Sequence, residues 1–149
     1  MISGNEVATC SNDGRICLWS IDTTNFKVTM RLDLEGTEFI YSLSTGLNGG
    51  SILASAGENF GVKVFVDGKL KQTLPIPALS AWCVRVLENG DIAVGCSDNR
   101  IYVFTQNAKR EAPKELIALY DAEVMKFKEP TAMETDVNEL PEEVGGEIV

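Results

Sequence analysis

The sequence predicts an all-β fold, part of a β-propeller, followed by one helix and an acidic tail. Three observations carry this expectation. A strand, a tight polar turn and a second strand closing on an aromatic occur three times, at Val7–Trp19, Ile52–Phe65 and Ile92–Phe104. The closing aromatics Trp19, Phe65 and Phe104 stand 46 and 39 residues apart, which is the period of a propeller blade. Within the second strands, Ile16/Leu18, Val62/Val64 and Ile101/Val103 alternate with Cys17/Trp19, Lys63/Phe65 and Tyr102/Phe104, so both faces are largely apolar. That is the pattern of a sheet sandwiched between neighbouring sheets. Blades are stable when stacked, and a closed ring takes roughly 4–8 of them. This chain is expected to hold about two and a half to three.

The elements follow in order. The first blade begins at its second strand, Val7–Cys10, turns at Asn12-Asp13-Gly14, and continues through Ile16–Trp19 to an outer strand at Phe26–Leu32. The second blade, about residues 38–75, has all four strands, with its inner strand at Glu38–Ser44 and its outer strand at Lys71–Leu74. Its turns are Asn48-Gly49-Gly50, Asn59-Phe60-Gly61 and Asp67-Gly68, residue types that supply positive φ and local hydrogen bonds. The third blade, about residues 80–105, opens with Ser80–Val86 and stops after three strands. A helix is expected over Ala112–Lys128, with Pro113 pre-set for its first turn and Leu116, Tyr120, Val124 and Phe127 on its packed face. The domain organisation is therefore blades over 1–106, a helix over 107–128, and a disordered acidic tail over 129–149.

The 149 residues amount to one domain's worth of chain, 44% of it apolar, with a net charge of −9. Residues 106–149 hold 11 acids against 5 bases, and no Lys or Arg follows Glu129. An acidic chain without a basic stripe is a poor partner for nucleic acid. No apolar run approaches the roughly 20 residues of a membrane helix, and the N-terminus carries no signal core, so a cytoplasmic and nuclear location without membrane attachment is expected. The four cysteines lack ligand spacing and there is no histidine, so no metal and no cofactor are expected, and the thiols are read as buried and free.

The repeat is of the WD type, and the segment Leu74-Pro75 through Trp82-Cys83 to Asn89-Gly90-Asp91-Ile92 and Val94-Gly95 resembles one family more specifically. It is similar to the last propeller blade of the phospholipase A-activating proteins, whose yeast member is a ubiquitin-fusion-degradation and Doa-class factor. Phe39–Leu43 and Cys10–Gly14 fit the two preceding blades, and the resemblance covers about residues 5–128. It implies a seven-bladed propeller that binds ubiquitin, a small ubiquitin-binding domain, and a C-terminal domain for the AAA unfoldase valosin-containing protein. Only the C-terminal part of such a propeller is represented, so a fragment, a truncated isoform or an incomplete product is expected, without the unfoldase-binding domain. In WD repeats the turn positions held here by Asp13, Asn59 and Asp98 anchor a network to a histidine. With no histidine, that network must be reduced or replaced, and the three residues are read as structural.

Three functional readings follow. An enzyme is disfavoured, because without histidine there is no Ser-His-Asp or Cys-His arrangement and no Gly-rich phosphate loop is present. The resemblance implies a ubiquitin-binding adaptor in ubiquitin recycling and proteasome-linked degradation. The alternative is a generic WD-repeat scaffold with another peptide partner. Ubiquitin presents an apolar patch rimmed by basic residues, and an aromatic flanked by acids is a suitable counterpart. Phe60 beside Glu58, Tyr41 near Glu38, and Trp82 fit that description. The competing expectation, taken as the default, packs Tyr41 and Trp82 inside the blade stack and leaves Phe60 as an incidental exposed residue.

Overall fold

A computed structural model describes residues 5–34, 39–46, 52–58 and 61–128. Ten strands form three antiparallel sheets, each a meander of consecutive strands. The first holds β1 (Glu6–Cys10), β2 (Ile16–Asp22) and β3 (Lys27–Leu34). The second holds β4 (Ile40–Thr45), β5 (Ile52–Gly57), β6 (Gly61–Val66) and β7 (Lys69–Pro75). The third holds β8 (Ala81–Val86), β9 (Ile92–Cys96) and β10 (Ile101–Phe104). The expected strand count of each blade is met among the described residues, and the sheets form part of a propeller without closing a ring. Helix α1 (Lys114–Lys128) follows.

Turn chemistry sets the hairpins. Asp13 and Asp98 each accept a hydrogen bond from the backbone N–H two residues on, Arg15 at 3.0 Å and Arg100 at 3.1 Å. These side-chain turns free Gly14 (φ 80) and Asn99 (φ 64) to adopt the left-handed conformation a tight reversal needs. The expected turns at 48–50 and 59–60 lie outside the described residues, as does the tail from 129.

Two apolar layers hold the stack. Ile16 meets Leu53 and Phe65 between the first and second sheets, with Leu18, Ile40 and Leu43 around them. Val62, Val64, Ala54 and Ala56 meet Val84, Val86, Ile92 and Val94 between the second and third. The middle sheet is thus covered on both faces, as the apolar alternation of β6 requires. The outer sheets are covered on one face each, and Ile101 and Val103 of β10 are 76% and 58% exposed. Of the thiols, Cys96 is buried but Cys83 is exposed, against the expectation of burial.

Helix α1 docks by a different stripe from the expected one. Leu116 and Phe127 are exposed, while Tyr120 and Val124 turn inward. The Tyr120 ring meets Tyr102 and Phe104 at 5.6 and 6.2 Å between centroids, and its hydroxyl donates to the Pro75 carbonyl. Burial pushes the Tyr120 phenol up to about 12, so it remains a donor. Ahead of the helix, Arg110 forks onto Asp91 with contacts of 2.9 and 2.8 Å, clamping the connecting segment to the β8–β9 hairpin.

Candidate functional site

The rim at the ends of β5 and β9 and the starts of β4 and β8 carries the described candidate residues. Here the backbone repeats a small device. The N–H of Glu58 donates to the Phe39 carbonyl at 3.0 Å, and the N–H of Ser97 donates to the Ser80 carbonyl at 3.0 Å. Each bond ties the residue just after β5 or β9 to the approach of its own blade's inner strand. Glu58 also bridges to Ser80, joining one blade to the next.

Just inside these ties, both inner strands carry a bulge. In β4 the register passes from Ile40↔Gly57 to Ser42↔Ala56, so Tyr41 is the extra residue. In β8 it passes from Ala81↔Cys96 to Cys83↔Gly95, so Trp82 is the extra residue. A bulge breaks the alternation of faces and re-aims the side chain it inserts. Two bulges at equivalent positions in adjacent blades bring the two rings together, with centroids 5.1 Å apart and planes tilted by 32°.

The Tyr41 hydroxyl donates to Glu58 Oε1 at 2.8 Å, and that bond to a carboxylate raises the phenol's pKa, which keeps it a neutral donor. Tyr41, Glu58 and Trp82 therefore form one cluster. Phe60 and Asn59 lie outside the described residues. The default expectation of burial is corrected for Trp82, which is 55% exposed because the bulge turns it out of the stack. Tyr41 is half-buried beneath it. Exposed Phe39 and Leu79, each just ahead of an inner strand, add apolar surface at the same end of the sheets. Their position in the chain was the available signal.

Asp13 and Asp98 hold their turns as described above. Asp98 Oδ2 also accepts the Tyr102 hydroxyl at 2.6 Å, and Trp19 Nε1 donates to Thr9 Oγ1 at 2.8 Å. These bonds stand where a histidine-centred network was expected to be replaced. Among the described residues no cluster of Cys, Asp and Glu could hold a metal. Nor is any described helix long and apolar enough to cross a membrane. A groove of about 370 Å³ lies between β10 and α1, lined mainly by Tyr102, Phe104, Leu116, Ile117 and Tyr120.

Comparison with known proteins agrees with this architecture. The family described as WD domain, G-beta repeat matches residues 2–20. The chain is 35% identical over 121 residues to the ubiquitin homeostasis protein lub1 of Schizosaccharomyces pombe, a match spanning 80% of this chain and 16% of the relative. It is 31% identical over 131 residues to the ubiquitin fusion degradation protein 3 homolog of Caenorhabditis elegans, spanning 84% of this chain and 15% of the relative. Over 55 residues it is 49% identical to the phospholipase A-2-activating protein of Xenopus laevis, 37% of this chain and 7% of the relative. The crystal structure of the WD40 β-propeller domain of Doa1 superposes with a TM-score of 0.64 at 35% identity, covering 76% of this chain and 37% of that one. The chain thus spans about a sixth of its first curated relatives and matches part of a propeller. Its homologues are therefore WD-repeat proteins, among them lub1, the ubiquitin fusion degradation protein 3 homolog and the phospholipase A-2-activating protein.

Proposed function

We propose that this chain is a ubiquitin-binding WD-repeat module serving ubiquitin homeostasis and ubiquitin-dependent protein degradation. The observation that carries the reading is the Tyr41–Trp82–Glu58 cluster, an exposed indole packed on a half-buried tyrosine with a carboxylate on its flank. Aromatic anchors dominate interface energetics, and an acid beside them suits an apolar patch rimmed by basic residues. The names of the two relatives matched over most of this chain point to the same pathway. In a longer product, the link to the AAA unfoldase valosin-containing protein would run through domains outside this chain, in cytoplasm and nucleus. The module is read as a binder and not an enzyme, since the cluster holds no nucleophile–base pair.

The test is titration of isotope-labelled ubiquitin with the 149-residue chain. Weak binding, in the high-micromolar range, should move resonances of ubiquitin's apolar patch. No movement there at millimolar chain would reject ubiquitin in favour of a generic scaffold.

A further inference from the structure

We infer that the Tyr41–Trp82–Glu58 cluster is an arginine-binding site, in which a partner's arginine lies across the exposed Trp82 indole with its guanidinium directed at Glu58. The inference deepens the ubiquitin reading and rests on it, the arginine being one of the basic residues that rim ubiquitin's apolar patch.

The shape of the site selects a flat, extended cation. Tyr41 covers part of Trp82 at 5.1 Å with the ring planes tilted by 32°, so among the described residues the pair is an open aromatic surface and not a cage. A rounded quaternary ammonium gains most from a cage. A planar guanidinium on an aliphatic stem gains from an open aromatic surface, and Trp is the best such surface. Trp82 supplies it, being more than half exposed while its backbone is fixed by the bulge on β8.

The acceptors are arranged for a fork. Glu58 Oε1 accepts the hydrogen bond of the Tyr41 hydroxyl, which orients the carboxylate. The second carboxylate oxygen and the lone pairs of the Tyr41 oxygen remain to accept two N–H donors of one guanidinium. The backbone of Glu58 is pinned by its bond to Phe39 and its bridge to Ser80, so little ordering is left for binding. The net charge of −9 adds a long-range attraction for a basic partner. A lysine could meet the charge, but its ammonium matches neither the flat ring nor the paired acceptors.

The experiment measures ubiquitin affinity for the wild-type chain and for Glu58→Gln, Trp82→Leu and Trp82→Phe, with melting curves as folding controls. It is repeated with ubiquitin whose rim arginines are changed one at a time to lysine. The expected losses are about fivefold for Glu58→Gln and about tenfold for Trp82→Leu, with Trp82→Phe within about threefold of wild type. One arginine-to-lysine change in ubiquitin should cost about fivefold against wild type and nothing further against Glu58→Gln. If Trp82→Leu fails to fold, the exposed Glu58→Gln and the ubiquitin variants still decide the matter. Wild-type binding that none of these changes alters by twofold overturns the arginine site and leaves the ubiquitin reading standing. Absence of wild-type binding overturns both.

Discussion

Ser44 and Val86 stand 42 positions apart in the chain and are joined by a hydrogen bond of 2.9 Å, from the Val86 backbone N–H to the Ser44 hydroxyl. Ser42 takes the Val84 N–H in the same way at 3.3 Å. The reason lies in the position of β8 at the inner edge of its sheet. Alternate N–H groups of an edge strand have no ladder partner, and a buried one left unpaired is costly. Serines two residues apart on β4 meet those groups at the same period of two. Ser44→Ala should therefore lower stability by about 1–3 kcal/mol, because it strands a buried donor. Ser42→Ala should cost less, its bond being longer and only partly buried. Urea unfolding of the two variants checks the ranking, and equal losses would mean that burial does not set the cost.

Gly57 shows how closely the rim is fitted. A Cβ at this position would run into the Phe39 carbonyl oxygen, a backbone atom that cannot move aside without dragging the β4 bulge. Gly57→Ala should lower the melting temperature and also loosen the Tyr41–Trp82 stack, since the Glu58–Phe39 tie sits beside the clash. Near-ultraviolet circular dichroism reads the aromatic pair. A variant that melts lower with an unchanged aromatic spectrum would place the strain elsewhere.

Asp91 and Arg110 provide a pH-dependent clamp. The Arg110 guanidinium, and after it Thr105, hold the Asp91 carboxyl below the usual carboxylate range. A depressed folded pKa contributes stability that is present above the unfolded value of about 3.9 and is lost as pH falls through the folded value. Stability should thus decline on acidification below about pH 4, and Arg110→Ala should flatten that decline while lowering stability at neutral pH. Unfolding curves from pH 7 to 3 make the comparison. Parallel curves for the variant and wild type would show that the pair does not set the acid response.

The repeat period made the strands legible, because each blade must present apolar faces at a period of two. It did not make the rim legible, because a bulge reverses that parity at one residue. Trp82 follows Ala81 in what reads as a buried strand, yet the extra residue turns it outward. The helix stripe was misread for a related reason. Leu116, Tyr120, Val124 and Phe127 satisfy helical spacing, but docking on Tyr102 and Phe104 turns Tyr120 and Val124 inward and leaves Leu116 and Phe127 exposed. With no histidine in the chain, the turn residue Asp98 is met instead by the Tyr102 hydroxyl. That Tyr102 would reach back to Asp98 depends on the hairpin geometry around Asn99, which composition does not encode.

The open faces of the outer sheets carry the last prediction. In the third sheet Cys83 pairs with Gly95 and Gly95 with Ile101, while Arg85 pairs with Ala93 and Ala93 with Val103, so these residues share one face. The buried side chains of β8 and β9 occupy the other. Ile101 and Val103 are therefore apolar groups on an uncovered face at the end of a stack, and α1 docks against Tyr102 and Phe104 on the opposite side. In the first sheet, the pairing of Trp19 with Met30 and of Ile21 with Val28 leaves another apolar face, on which Val28 and Met30 are exposed. Apolar sheet surface of this kind drives association. The 149-residue chain by itself should self-associate in sedimentation at micromolar concentration, and Ile101→Lys with Val103→Lys should shift it toward monomer. These changes remove exposed apolar surface and leave both packed layers untouched, so they should not lower the melting temperature of the monomer. A wild-type chain that sediments as a compact monomer with a sharp, reversible melt would contradict the prediction, because uncovered faces of this composition would then be stable in water.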